Sequence, residues 1–343
     1  MFSKSIAIRG SDVFRDEKSL AFDGGDEYVE LSGAFNYNVH SISVWVKPKA
    51  ILGSATIFDY RDANNDGIHI YLGDGDVVYQ IDNTDGHYDS VLTLNQWWHI
   101  VATNDASTST IYVNGVAVET ADTSGETINV ATSAVPRIGA RSHTSPSNYF
   151  NGNISEVVFY TSALTANQVK TIYNGREPYN HKEGVASGNL QAWYRMGDGV
   201  LDDYALIGDE TNTTLGSDVL SGSTWNDADA NWSESGGVVT ASGATGTAYI
   251  TSVLTQGKTY KIVYTASVTS GSFRFLIGGT NGNLITSSGD YVEYKVCTSS
   301  NHINIDGVSS FTGNVSNITV QQVGDNAGLM TNMEATDIEG DTP

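Results

Sequence analysis

The residues best placed to do chemistry in this sequence are oxygen donors and aromatic rings in turn-rich stretches. Asp62-Ala63-Asn64-Asn65-Asp66-Gly67 sets side-chain oxygens at alternate positions ahead of a glycine, the opening half of a loop that wraps a hard cation such as calcium. The position where a bidentate Glu would close that loop is Gly73, and the flanks read as strands. A hairpin turn held by Asx side chains is therefore the favoured reading, with Asp62, Asn64 and Asp66 kept as metal-ligand candidates. Two tyrosines keep similar company: Tyr88 in Asp85-Gly86-His87-Tyr88-Asp89 and Tyr149 in Ser147-Asn148-Tyr149-Phe150. A sugar ring is recognised by an exposed aromatic plate beside amide and carboxylate groups, and loops carry such sites, so His87, Tyr88, Asn148 and Tyr149 are the glycan-binding candidates.

No comparable arrangement exists for catalysis. A retaining glycoside hydrolase needs two carboxylates about 5 Å apart, and the nearest acidic spacings, Glu27 to Glu30 and Glu334 to Glu339, do not set such a pair on one strand. Gly-x-Ser-x-Gly, His-Glu-x-x-His and phosphate-loop signatures are missing. The seven His residues show no zinc-ligand spacing, and His69 and His99 read as satisfied sheet residues. Trp45, Trp98 and Trp232 stand in strand patterns, where packing is the expected role. The chain is expected not to be an enzyme.

The elements that would hold these residues are strands. Apolar residues make up 39% of the 343 and charged residues only 16%, with 36 Gly and abundant Ser, Thr, Asn and Asp, a composition of short strands and many turns. Ile42, Val44 and Val46 alternate with Ser43, Trp45 and Lys47. Asn114-Gly115 between Ile111-Tyr112-Val113 and Val116-Ala117-Val118 predicts a hairpin with a type I′ turn. One short helix is predicted at Thr165 to Asn174, with a Thr165/Gln168 capping box, a Leu164/Val169 staple and an Asn174-Gly175 stop. A second strand series begins near Asp218 and runs through Tyr260 to Ala266, Phe273 and Phe275, Val292 to Val296, Ile303 and Ile305, and Ile318 and Val320, at the spacing of a sandwich. The net charge of −22 opposes a phosphate backbone, so nucleic acid is an unexpected partner. The lone Cys297 leaves no intrachain disulfide. Apolar runs are too short for a signal peptide or a membrane span, so neither membrane insertion nor classical secretion is expected.

Four stretches, Ser19 to Leu31, Ile42 to Pro48, Trp98 to Gly115 and Arg137 to Gly175, resemble in order the laminin G-like branch of the concanavalin A-like lectin and glucanase superfamily. The resemblance implies a two-sheet jelly roll with the helix packed at one end. It also implies calcium in the first domain, with Asp23, Asp26 and Glu156 as further oxygen donors; Glu156 stands where such domains usually carry Asp. Residues 218 to 323 are similar to carbohydrate-binding-module-like jelly rolls, through Trp225 and Trp232, Leu254 to Tyr260 and Phe311 to Val320.

The expected fold is all-β: two tandem β-sandwich jelly-roll domains with one short helix in the first. The expected order is an arm at 1–18, a laminin G-like sandwich at 19–200, a connector at 201–217, a carbohydrate-binding-module-like jelly roll at 218–323 and an acidic tail at 324–343. This pairing of modules looks like virion structural proteins of tailed bacteriophages. The implied function is a non-enzymatic virion surface protein, in capsid decoration or a fibre, made in the host cytoplasm. Its expected partners are other virion proteins, further copies of itself and a host-surface glycan. A bacterial glycan-binding adhesin fragment and a glycoside hydrolase are the alternatives.

Overall fold

A computed structural model describes residues 14–51, 53–82, 84–88, 92–131, 133–142, 145–177, 179–203, 205–227 and 230–343, with backbone alone at 87 and 88. The chain divides into two units. The first comprises residues 14–28, Asn36–Gly199 and Thr336–Pro343; the second comprises Val29–Phe35 and Val200–Ala335.

The first unit is a two-sheet sandwich. One sheet runs, in spatial order, Val116–Asp122, Thr108–Val113, Trp98–Asp105, Val39–Ala50, Asn151–Tyr160, Ser19–Asp23 and Ile338–Glu339, with Leu190–Tyr194 also paired to Asn151–Tyr160. The other contains Arg137–Ile138, Ser54–Arg61, Gly67–Gly73, Asp76–Ile81 and Thr84–Tyr88 in that order. Antiparallel pairing with period-two side chains sends Phe58 and Phe159 toward each other, their ring centroids 4.9 Å apart. The hairpin forms as its turn chemistry requires, with φ of 49° at Asn114 and 79° at Gly115. The helix Ala166–Tyr173 carries both halves of the capping box and ends at Asn174 in the left-handed region. It buries Val169 and Ile172. Trp45 and Trp232 are buried as expected, but Trp98 is half-exposed and Trp97 is the buried member of that pair.

The second unit is likewise a sandwich. Trp232–Ser235, Val238–Ala244, Phe311–Val323, Thr259–Ser270 and Gly289–Val296 form one sheet, with Leu215–Asp218 added to Phe311–Val323. Asn226–Asp227, Thr247–Ile250, Ile303–Gly307, Phe273–Ile277 and Thr280–Asn281 form the other. Phe273, Phe275, Phe311 and Tyr264 fill the space between them, with centroids 4.6 to 6.3 Å apart. Cys297 is fully buried.

The segments outside the two expected sandwiches are held in place. Of the arm, residues 1–13 lie outside the described residues, while Phe14 packs on Trp193 at 5.5 Å and Asp16 accepts from the Ser155 hydroxyl at 3.0 Å. The 201–217 stretch contributes strands to the second unit. The acidic 324–343 stretch divides: Gly328–Thr331 is a strand of the second unit, and residues 336–343 belong to the first. The reason is chemical. Its carboxylates find donors one by one: Asp325 meets Lys258 at 2.5 Å, Asp341 meets Lys47 at 2.6 Å and Trp97 Nε1 at 3.1 Å, and Glu339 accepts from Asn153 Nδ2 at 2.9 Å. No helix among the described residues is long and apolar enough to cross a membrane.

Candidate functional site

Across five neighbouring strands of the second sheet described for the first unit, strand register builds a polar row. Arg137 pairs with Asp59, Asp59 with His69, His69 with Gln80 and Gln80 with Asp85, so one residue from each strand stands in line. The alternation that sends Phe58, Tyr60, Ile68 and Ile70 into the core sends this row to the opposite face. Arg61 follows on that face. Its Nη2 and Nε donate to the Asp59 carboxylate at 2.7 and 3.2 Å, and its Nη1 donates to Gln80 Oε1 at 2.5 Å. Ser142 Oγ donates to Asp59 Oδ1 at 2.8 Å, tying the residues that follow Arg137–Ile138 to the row.

Asp59, Arg61 and His69 are 0, 3 and 3% exposed, so this is a desolvated ionic network, stable only because its donors and acceptors are matched. Burial, reinforced by the Arg61 and Arg141 charges, holds the His69 imidazole well below its usual range and therefore neutral. The half-buried Tyr71 ring stacks on His69 at 4.3 Å. Arg141 donates Nη2 to Asn65 Oδ1 at 3.2 Å, while its Nε is buried with no partner among the described residues. Beside them, Arg137 lies 5.2 Å above the Tyr28 ring, and Tyr28 lies 6.5 Å from Tyr149. The half-buried Tyr71 ring and the partly exposed guanidinium groups of Arg137 and Arg141 are suited to holding a polyhydroxyl ring.

Of the sequence-derived glycan candidates, Tyr149 stands beside this face and donates its hydroxyl to the Pro146 carbonyl at 3.0 Å. Asn148 is exposed at φ 53°, and its carbonyl accepts from the Thr56 amide. His87 pairs with Val78 and Tyr88 with Val77, so their backbone joins the same sheet, while their side chains lie outside the described residues. Asp59, Arg61, Tyr71, Arg137 and Arg141 went unnoticed in the sequence. The available signal was the alternation Phe58-Asp59-Tyr60-Arg61, a charge at every second residue of an apolar strand.

The metal candidates scatter. Asp62 Oδ1 accepts from the amides of Asn64 and Asp66 at 2.8 and 3.2 Å, and Oδ2 from that of Ala131 at 3.2 Å, so the carboxylate at the head of the supposed calcium loop is engaged by backbone N–H groups as in an Asx turn. Asn64 and Asp66 supply amides to that turn, the Asx-held hairpin turn favoured from the sequence. Asp23 accepts from the Gly25 amide at 2.6 Å. Glu27, close to Asp23 and Asp26, is pushed up to about 7, by burial first and then with the charges of Asp337, Asp23 and Asp26 adding to the effect. Among the described residues no group of three or more His, Cys, Asp or Glu side chains gathers to hold a metal ion.

Glu156 belongs to a second titratable cluster in the first unit. Strand Asn151–Tyr160 bulges between Ser155 and Val158, and Glu156 sits in that bulge at φ 49°. Here its strand exchanges one neighbour, Ser19–Asp23, for another, Leu190–Tyr194. The bulge aims the carboxylate inward, where Oε2 accepts from Trp193 Nε1 at 2.5 Å and Oε1 lies 3.4 Å from Arg195 Nε. His181 completes the surround, 4.0 Å from Glu156 and 2.5 Å from the Tyr160 hydroxyl. Burial raises the Glu156 carboxyl, and burial plus the Glu156 charge raises that of Asp16. The crevice beside them has room for about one water molecule, and the cluster fastens residues 14–18 to the sheet.

With this geometry in hand, likeness to known proteins has a place to rest. Residues 23–170 match the family described as the concanavalin A-like lectin/glucanases superfamily. The matched segment contains the entire polar row. No curated protein matches the sequence. Among solved structures, a Bacteroides ovatus protein provisionally assigned as carbohydrate binding is 19% identical, with a TM-score of 0.47 over 58% of this chain and 56% of its own. This chain thus spans just over half the length of that protein. A heptameric SAP-like pentraxin from Limulus polyphemus is 16% identical, with a TM-score of 0.41 over 50% of this chain and 85% of its own. The Ruminococcus gnavus IT-sialidase CBM40 bound to α2,3-sialyllactose is 15% identical, with a TM-score of 0.39 over 45% of this chain and 97% of its own.

Proposed function

We propose that the protein binds carbohydrate without transforming it, through the face of the first unit that carries the polar row. The observation that carries this reading is the row Arg137–Asp59–His69–Gln80, locked by Arg61 and flanked by the half-buried Tyr71 ring and the Arg141 guanidinium. Catalysis is disfavoured by spacing. Asp59 and Asp85 are the row's two carboxylates, and they stand three strand intervals apart, about 14 Å, against the roughly 5–9.5 Å that glycoside hydrolysis uses. Asp59 is also committed to Arg61 and Ser142.

Screening the full chain on an array of bacterial and host glycans should give a defined set of binders. Tyr71→Ala and Arg141→Ala should each weaken binding about tenfold, the loss of about 1.4 kcal/mol of contact, while leaving the melting temperature within a few degrees of the parent. Full retention of binding in both variants removes the face from consideration.

For location, we propose the exterior of a tailed-phage particle, as a decoration or fibre component present in several copies. The support is the pairing of the two module types in sequence and the net charge of −22, which keeps a displayed protein soluble. Repetition on one particle turns a weak sugar contact into firm attachment through effective concentration. Mass spectrometry and immunogold labelling of purified particles test this location separately from sugar binding.

A further inference from the structure

The second unit holds a larger opening than the first-unit crevice, a cleft of about 540 Å³, within the roughly 300–1,000 Å³ of small-molecule sites. It lies where Gly289–Val296 and Thr280–Asn281 form the borders of the unit's two sheets. Tyr291, Glu293 and Lys295 alternate on one side of Gly289–Val296, opposite the core residues Tyr264, Ile262 and Tyr260. Core-facing positions on a sandwich strand are normally apolar, yet here the alternation brings in two charges.

Glu293 is 3% exposed and precisely oriented by two donors: Tyr264 gives its hydroxyl to Oε1 at 2.6 Å, and Asn283 its amide to Oε2 at 2.7 Å. A Cβ at Gly282 would approach Oε2 to 2.8 Å, so glycine lets the turn close over the carboxylate. Each carboxylate oxygen has two acceptor positions, so one donor each leaves capacity for another. Lys295 Nζ stands 3.9 Å from Oε2, too far for a hydrogen bond. A hydroxyl oxygen lying to one side of this pair, within hydrogen-bond reach of both, would donate to Glu293 and accept from Lys295. Met330 and Met333 line the same cleft with soft apolar surface.

We infer that this cleft is a second carbohydrate site, taking a neutral sugar of about one or two rings, whose hydroxyls bridge Glu293 and Lys295 and whose C–H face rests on the methionines. An inward-pointing charge also protects a border strand from pairing with other chains. That role requires no response to sugar, which makes the two explanations separable.

The experiment is saturation-transfer NMR on the full chain carrying Tyr71→Ala and Arg141→Ala, which silences the face in the first unit. The probes are methyl glucoside, methyl galactoside, maltose, cellobiose and lactose at about 10 mM, suited to roughly millimolar affinity. At least one should show transfer. Lys295→Met, which keeps the side-chain length, and separately Met330→Glu at the rim should each reduce that transfer at least about fivefold, near 1 kcal/mol. Two rim positions are used so that a folding defect in one does not decide the matter. Silence from all five sugars, or transfer that survives both substitutions, overturns the assignment. Full retention of array binding by Tyr71→Ala and Arg141→Ala would overturn the first-unit face alone.

Discussion

Arg195→Ala should destabilise the first unit by about 3–5 kcal/mol, the usual result of leaving buried charges without their partner. The guanidinium is the hub of its cluster. Its Nε faces Glu156 at 3.4 Å, its Nη2 lies 3.8 Å from Asp198 and 4.0 Å from Asp16, and it also donates to the Arg15 carbonyl. Its Cζ covers the Phe14 ring at 4.5 Å, adding a cation–π contact to the electrostatic one. For a unit of this size the loss corresponds to a melting temperature lower by roughly 10 °C. Adding Asp16→Asn to Arg195→Ala should change that loss little near neutral pH, because burial already keeps the Asp16 carboxyl in its neutral form and the amide retains an acceptor for Ser155.

The same cluster sets a pH profile. Asp16 and Glu156 have raised folded-state values, so the stability they contribute is complete below the ordinary carboxylate range and declines as pH rises toward those values. His40, His99 and His181 are pushed down by burial, to about 4, 3 and 3, and His69 is lowered as well. Their contribution is complete above about 6.5 and declines as pH falls. Stability of the first unit should therefore peak near neutrality, and Asp16→Asn should flatten the alkaline limb alone. Calorimetry across pH 4 to about 9 reads both limbs. An alkaline limb as steep in Asp16→Asn as in the parent would contradict the assignment.

Gly152→Ala should be still more damaging than its size suggests, at about 3 kcal/mol or more. Gly152 has φ 142° beside the first irregularity of the Asn151–Tyr160 pairing, and a Cβ there would lie 2.2 Å from the Lys47 carbonyl oxygen and 2.8 Å from Pro48 Cα. Both obstacles are backbone, so relief requires moving the central strand Val39–Ala50. Gly175→Ala is the control: φ is 65°, but nothing lies within 4 Å of its Cβ, so only the left-handed backbone cost of about 1 kcal/mol remains. Equal melting temperatures for the two variants would show that the strand yields at little cost.

Local features of this fold were legible in the sequence, and long-range features were not. The helix could be read because Thr165, Gln168 and Asn174 act on their own backbone, and the hairpin because Asn114-Gly115 alone selects the turn. Sheet register is a different matter. Nothing within Ser54–Arg61 says that Asp59 will face His69 and Arg137, because that depends on a bulge between Thr56 and Phe58 and on a loop returning from residue 138. Glu156 was noticed as a departure from a pattern, but its inward aim follows from another bulge. The cleft chemistry was hidden for the opposite reason. Alternation marked Val292, Tyr294 and Val296 as the apolar set, whereas Glu293 and Lys295 occupy the side facing the core positions of their neighbour.

The pairing of Ile338–Glu339 with Ser19–Asp23 bears on how the chain acquires its structure during synthesis. The Ser19 hydroxyl bonds the Asp341 carbonyl at 2.5 Å across 322 residues. Closing so long a loop is thermodynamically mild, since each doubling in length adds only about 0.6 kcal/mol. Kinetically it means that the Ser19–Asp23 edge waits, unpaired on one side, until residues 336–343 emerge from the ribosome. At about 5–20 residues per second that wait is on the order of half a minute. An open strand edge is a template for pairing with other chains, so nascent copies translated side by side on one message are the setting in which this protein is most exposed to misassembly.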